Sequence, residues 1–246
     1  MMKPIPTSTP QERVTLFRGI AVPPANIDHV SAEIWEHGLR KVKGMLWGSQ
    51  MASPSAVRGR VAELMASPST IRARIDEMPM GHLICACGDE FGATHYAVGR
   101  LPIGDISRGL LITFSAGLNE LSIDGKDFLY TIFQFWDRDR KHDRELFRER
   151  LAMMFGTGIL KYFDLASETD KTIERVGICD LACIDLNVIR EHLRNMVLIN
   201  GRCNTRFCSA VQMQEPVTSA QIISVTTVHS LPGAPERQIH LDSLLH

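Results

Sequence analysis

The residues with chemical potential cluster in two places, and the denser one is GHLICACGDEFGATHYAVG, residues 81–99. It holds two thiols, Cys85 and Cys87, two imidazoles, His82 and His95, and the aromatic side chains of Phe91 and Tyr96. A thiol becomes a nucleophile when a following helix N-terminus favours its thiolate, so Cys85 and Cys87 are candidates for that role. His82 and His95 are close in sequence, but a lone histidine is more often a hydrogen-bonded structural residue than a base. The second place is Arg18, inside the apolar run VTLFRGIAV of residues 14–22. A charge in a buried strand needs a partner, because desolvating it costs several kcal/mol. Arg18 is therefore either half of a structural ion pair or an anion clamp at a sheet edge.

Other signatures are weaker. Six cysteines, at 85, 87, 179, 183, 203 and 208, include no CxxC pair, and only the x3 pair Cys179/Cys183 and the x4 pair Cys203/Cys208 come near zinc-ligand spacing. Reduced, buried thiols are expected instead. The chain has no GxSxG elbow, HExxH helix, GxxxxGK[ST] phosphate loop or GxGxxG turn, which removes the commonest hydrolase, kinase and dinucleotide-fold readings. A direct repeat, MASPSAVRGRVAEL followed at once by MASPSTIRARIDEM, fills residues 51–78. Each copy offers a Ser cap and a Pro at the first helical position, which predicts two short helices. Arg58 with Arg60, and Arg72 with Arg74, suit either a solvated helical insert or a phosphate-contacting surface.

The elements that must position these groups follow from periodicity. Residues 83–87 read as a buried strand, Gly88-Asp89 as a turn, and residues 91–98 as a helix with its N-terminus open beside the strand end. Such a strand, turn and helix makes one wall of a nucleotide pocket. Residues 14–22 predict a central strand stopped by Pro23-Pro24. Asn26 caps an amphipathic helix that Gly38 ends, and residues 109–115 form another strand. Residues 121–135 read as a DG turn entering an apolar segment. A mixed-charge surface helix covers residues 137–156, and Asp185 caps a helix that runs to Gly201. Two β-rich stretches, 207–214 and 221–228, precede a polar tail. Strands at the start, middle and end with helices between them argue for α+β.

With 246 residues, 44% hydrophobic and 22% charged, the chain suits one domain over 14–246, carrying the helical insert 51–78 behind a mobile arm of 1–13. Lys plus Arg number 27 against 28 Asp plus Glu, so no net field draws nucleic acid or membrane to the whole surface. There is no transmembrane run and no signal-peptide core at the N-terminus, so a cytoplasmic protein is expected where the chain is made.

In order, Leu16-Phe17-Arg18-Gly19 and then the segment from Cys85 to Ala97 resemble the ADP-ribosyltransferases of the arginine, serine-threonine-serine, glutamate class. The resemblance spans roughly residues 14–228 and implies a split-sheet core with inserted helices and NAD as substrate. It implies that Arg18 holds the NAD phosphates, a task suited to a guanidinium fork, and that Gly19 lets the backbone approach the dinucleotide. Cys85 and Cys87 stand where the family has Ser and Thr hydroxyls, a departure that replaces strong hydrogen-bonding groups with weak ones. Phe91 or Tyr96 would stack on the ring. The family's catalytic glutamate opens a late strand and stabilises a cationic ribose. Here the nearest acid is Glu215, at the end of the strand, with Asp124 and Asp127 as alternatives. The implied activity is mono-ADP-ribosyl transfer to a protein or nucleic-acid acceptor, as in toxins and effectors of the family, or NAD hydrolysis with water as acceptor. A module that kept the fold without the chemistry, and a nucleic-acid binder using the duplicated arginines, are the competing readings.

Overall fold

The computed structural model describes residues 12–39, 83–98, 109–124, 144–169, 172–200, 206–214 and 216–240. The helical insert 51–78 with its four arginines, His82, Asp127, Glu215 and the first eleven residues of the expected arm lie outside the described residues. The architecture is α+β, built on an antiparallel six-stranded sheet. Its strands are β1 (Arg13–Ala21), β2 (Leu83–Cys87), β3 (Gly109–Gly117), β4 (Leu121–Ile123), β7 (Ala210–Gln214) and β8 (Ile222–Val228). Across the sheet the order is β4-β7-β2-β1-β3-β8. A smaller sheet joins β6 (Arg206–Phe207), β5 (Val197–Asn200) and β9 (Arg237–His240), with β5 at its centre and β9 parallel to it.

Pattern and packing agree in β1. Leu16 and Ile20 are buried on one face, and their partners Phe114 and Leu110 in β3 are buried with them. That face belongs to the main core. It is covered by α1 (Ile27–His37), α3 (Arg144–Phe155), α4 (Leu160–Ser167), α5 (Thr172–Ile184) and α6 (Leu186–Arg194), which contribute Ile34, Leu151, Phe163, Ala182 and Ile189. Burying a side chain the size of Phe114, Phe155 or Phe163 contributes about 2 to 3 kcal/mol each. The opposite face carries Phe17, Cys87 and Leu111, which pack with Ala93 of α2 (Glu90–Val98) into a second, smaller cluster.

Glycine sets how closely α2 lies on that second face. A Cβ added at Gly19 would fall on the Ala93 carbonyl oxygen, and one at Gly109 would fall on the Ala97 carbonyl. The space expected beside Gly19 for a dinucleotide is therefore filled by the backbone of α2.

Several sequence expectations are corrected by packing. Asn26 makes no side-chain cap; a 3-10 turn over Pro24–Asn26 leads into α1 instead. Glu12 and Arg13, assigned to the arm, belong to the fold: Glu12 accepts from Arg190 at 2.8 Å, and Arg13 opens β1 and bonds Ser115. The helix from Asp185 stops at Arg194 rather than Gly201, because residues 197–200 leave it to form β5. The polar tail contains β9, and α4 and α5 occupy a stretch that carried no prediction.

The Asp185 cap is present as expected. Its Oδ1 accepts from the amides of Asn187 at 2.8 Å and Val188 at 3.4 Å, while Oδ2 accepts from Lys161 at 2.7 Å and Tyr162 at 2.6 Å. Burial raises this carboxyl, but Lys161, Tyr162 and the Asn187 amide outweigh it and hold the pKa at about 2. A depressed acid stabilises the fold above its unfolded pKa of about 4 and loses that contribution as pH falls through its folded value. Wild-type unfolding free energy is therefore expected to drop by about 2 kcal/mol more than that of Asp185→Asn between pH 5 and pH 2. Denaturant titrations of both proteins at the two pH values check this.

Candidate functional site

A cleft of about 780 Å³ opens where β2 turns into α2. Three stretches far apart in sequence line it. The first is Gly88, Asp89, Glu90 and Phe91, with Phe17 of β1 beside them. Arg194, Asn195 and Met196 follow from the end of α6. The third wall is the connection from Pro232 to Pro235 with Glu236 and Arg237, where β9 begins.

Local chemistry explains the floor. Gly88 and Asp89 leave the strand, and Asp89 caps α2: Oδ1 accepts from the amides of Phe91 at 2.8 Å and Gly92 at 3.2 Å. The helix N-terminus expected to be open to an anion thus carries a carboxylate of its own, which satisfies two of its amides and complements its dipole. A phosphate gains nothing there. Exposed charge of both signs lines the cleft, Arg194 and Arg237 with Glu90 and Glu236. Neither guanidinium makes a hydrogen bond or ion pair within 4 Å among the described residues, although Arg194 is near enough to Glu12 to help lower its pKa after the dominant effect of Arg190.

Arg18 is not in this cleft. By the two-residue period of β1 it belongs to the Leu16 and Ile20 face, opposite Phe17. Its Nη1 donates to the Cys85 carbonyl at 2.5 Å. Among the described residues β1 and β2 share a single paired position, Phe17 with Cys87, so the guanidinium joins the two strands where their ladder fails. A backbone carbonyl is thus one of the partners of Arg18.

The two thiols do not line the cleft either. Cys87 is buried beneath α2, and burial, followed by the nearby Asp89 carboxylate, pushes its pKa well above the ordinary thiol value. The helix cap therefore works against a thiolate, opposite to the expectation for a nucleophile. Cys85 is half-buried, and Gln212, its partner across the β2–β7 ladder, holds its amide 3.9 Å from the sulfur. The same amide donates to Asp124 at 2.7 Å, which accounts for one oxygen of that spare acid. Tyr96 packs against the main core and meets His95 edge-on; of the two aromatics expected to stack on a ring, Phe91 alone reaches the cleft. Gly19 is half-buried, and the side on which it would carry a Cβ is occupied by the backbone of α2.

Sequence reading missed Phe17, Arg194, Asn195, Glu236 and Arg237. Phe17 was within the motif but overshadowed by Arg18. Glu236 directly precedes a late strand, the position from which an acid was sought near Glu215.

Among the described residues no group of three or more His, Cys, Asp or Glu side chains could hold a metal ion, and no helix is long and apolar enough to cross a membrane. No family model, no curated protein and no solved structure matches the chain.

Proposed function

We propose that this protein binds a nucleotide, with NAD the foremost candidate, in the cleft between the β2–α2 turn and the start of β9. The observation that carries the reading is the composition of that cleft: Phe17 and Phe91 at its inner wall, Arg194 and Arg237 at its rim. A flat ring is held by aromatic faces, and phosphates by guanidinium forks, so the two pairs match the two halves of a nucleotide. The capped α2 terminus sets the direction. Phosphates lie toward the arginines and the ring lies toward Asp89, where a second negative group would be repelled.

A second reading, transfer of ADP-ribose from NAD to an acceptor or to water on an ADP-ribosyltransferase-like core, has one observation in its favour. Glu236 lines the cleft immediately before β9, and a carboxylate there could stabilise the positive charge that develops on ribose as nicotinamide leaves. The adjacency of β1 and β2 supports the same resemblance, while the position of Arg18 does not. On this reading the phosphate role belongs to Arg194 and Arg237, and the acid role to Glu236 rather than Glu215.

Calorimetric titration with NAD, run beside an assay for free nicotinamide, tests both. Saturable binding supports the first reading and absence of binding sinks it. Turnover that falls by about 100-fold in Glu236→Gln, with NAD affinity kept within about threefold, supports the second. Binding without any nicotinamide release leaves a binding module.

A further inference from the structure

The third wall of the cleft is built differently from the other two. The turn from Gly88 to Phe91 is fixed by the Asp89 cap, and Arg194 to Met196 lead directly into β5, whose Val197 pairs with Arg237 at the start of β9. The connection from β8 to β9, residues 229–236, has no such tie. Among the described residues, positions 230–235 make no hydrogen bond through backbone or side chain. All eight residues of the connection are exposed except the half-buried Pro235, and a Cβ placed on Gly233 would meet no atom within 4 Å. A segment with solvated backbone and few contacts belongs to the low-stability end of a fold, from which elements that close over ligands are drawn. Its composition suits a cover. Ser230-Leu231-Pro232-Gly233-Ala234-Pro235 carries no charge, although the charged side chains of Arg194, Glu236 and Arg237 stand around it. Pro232, Gly233 and Pro235 already line the cleft, and Leu231, 42% exposed, lies just outside the lining. Proline stiffens the chain on either side, and the glycine between supplies the least restricted backbone position.

We infer that residues 229–236 form a strap that swings about Gly233 onto a bound nucleotide and lays Leu231 and the two prolines over the ring held by Phe17 and Phe91. The inference rests on the nucleotide reading and adds to it that the cleft closes after the ligand has entered. The two arginines stay in place, since Arg194 ends α6 and Arg237 is paired within β9. Phosphates therefore meet a fixed rim first, and the strap follows. Closure takes Leu231 and the ring out of water together, so its apolar burial slows escape of the ligand rather than its entry.

Hydrogen exchange and binding kinetics, with NAD as the probe, test it. In the free wild type the amides of Leu231, Gly233 and Ala234 are expected to exchange as fast as in an unstructured chain, and at saturating NAD to slow by at least about tenfold. Leu231→Ser is the informative variant. Its side chain is exposed and outside the open lining, so the substitution should keep the melting temperature within about 2 °C of wild type. For the same reason it reaches the ligand only through closure. Surface plasmon resonance should show NAD association within about threefold of wild type and dissociation faster by about tenfold. Exchange in 229–236 that saturating NAD leaves unchanged, or wild-type dissociation in Leu231→Ser, overturns the inference while leaving nucleotide binding intact. Absence of NAD binding to the wild type removes the nucleotide reading itself, and the inference with it.

Discussion

Replacing Gly19 by Ala is expected to cost about 3 kcal/mol of stability, the upper end of the usual overpacking penalty. The added methyl would be directed onto the Ala93 carbonyl, a backbone atom inside α2 that cannot rotate away. Either α2 lifts from β1 or β1 shifts within a sheet where it is paired along its whole length to β3. Both outcomes open the cluster of Phe17, Cys87, Ala93 and Leu111. Chemical denaturation measures the loss, and a thermal midpoint lowered by roughly 10 °C accompanies it. An unchanged midpoint would mean that α2 does not seat on β1 as described. The ADP-ribosyltransferase resemblance makes a different prediction for the same variant, since a glycine that admits a dinucleotide should change NAD affinity before stability.

The double variant Arg194→Ala/Arg237→Ala is expected to weaken NAD binding by more than about 100-fold. A hydrogen bond from a charged donor is worth about 1.5 to 3 kcal/mol, and two are removed. Both side chains are exposed and form no hydrogen bond or ion pair among the described residues, so stability should stay within about 0.5 kcal/mol. Lysine at both positions should recover part of the affinity, because charge returns without the planar fork. Wild-type affinity should also fall as salt rises, as expected for contacts made at an exposed rim. Titration of folded variants at two ionic strengths checks each of these. Retained affinity in the double alanine variant would place the phosphates elsewhere.

The central strands were legible because their signals are local. Residues 83–87 are apolar, Gly88-Asp89 punctuates them, and the helix that follows begins within one residue of its expected start. The charged residue in β1 was correctly marked as needing a partner. One partner is a carbonyl on β2, a strand distant in sequence, so it could not be named from position alone. The smaller sheet was hidden for a related reason. Leu193, Met196 and Val197 continue the spacing of α6, so β5 looks helical until its pairing with β9 decides otherwise. β9 itself has one buried residue, Ile239, and no pattern of its own. The cleft is assembled from the ends of elements that these two misreadings blurred: Arg194 and Asn195 were taken for helix interior, and Glu236 and Arg237 for tail. Asp89 was read as a turn residue, which it is, but its role as a helix cap decides where an anion can go.

The most direct test of the account is NAD titration of three proteins in parallel: wild type, Arg18→Met and Arg194→Ala/Arg237→Ala. Methionine keeps the apolar stem of Arg18 while removing the guanidinium that joins β1 to the Cys85 carbonyl. Arg18→Met is expected to melt earlier yet bind NAD within about threefold of wild type, while the rim variant stays stable and loses binding by more than about 100-fold. The opposite pattern, with affinity lost in a folded Arg18→Met protein and kept in the rim variant, would contradict it and return the phosphate site to the first strand.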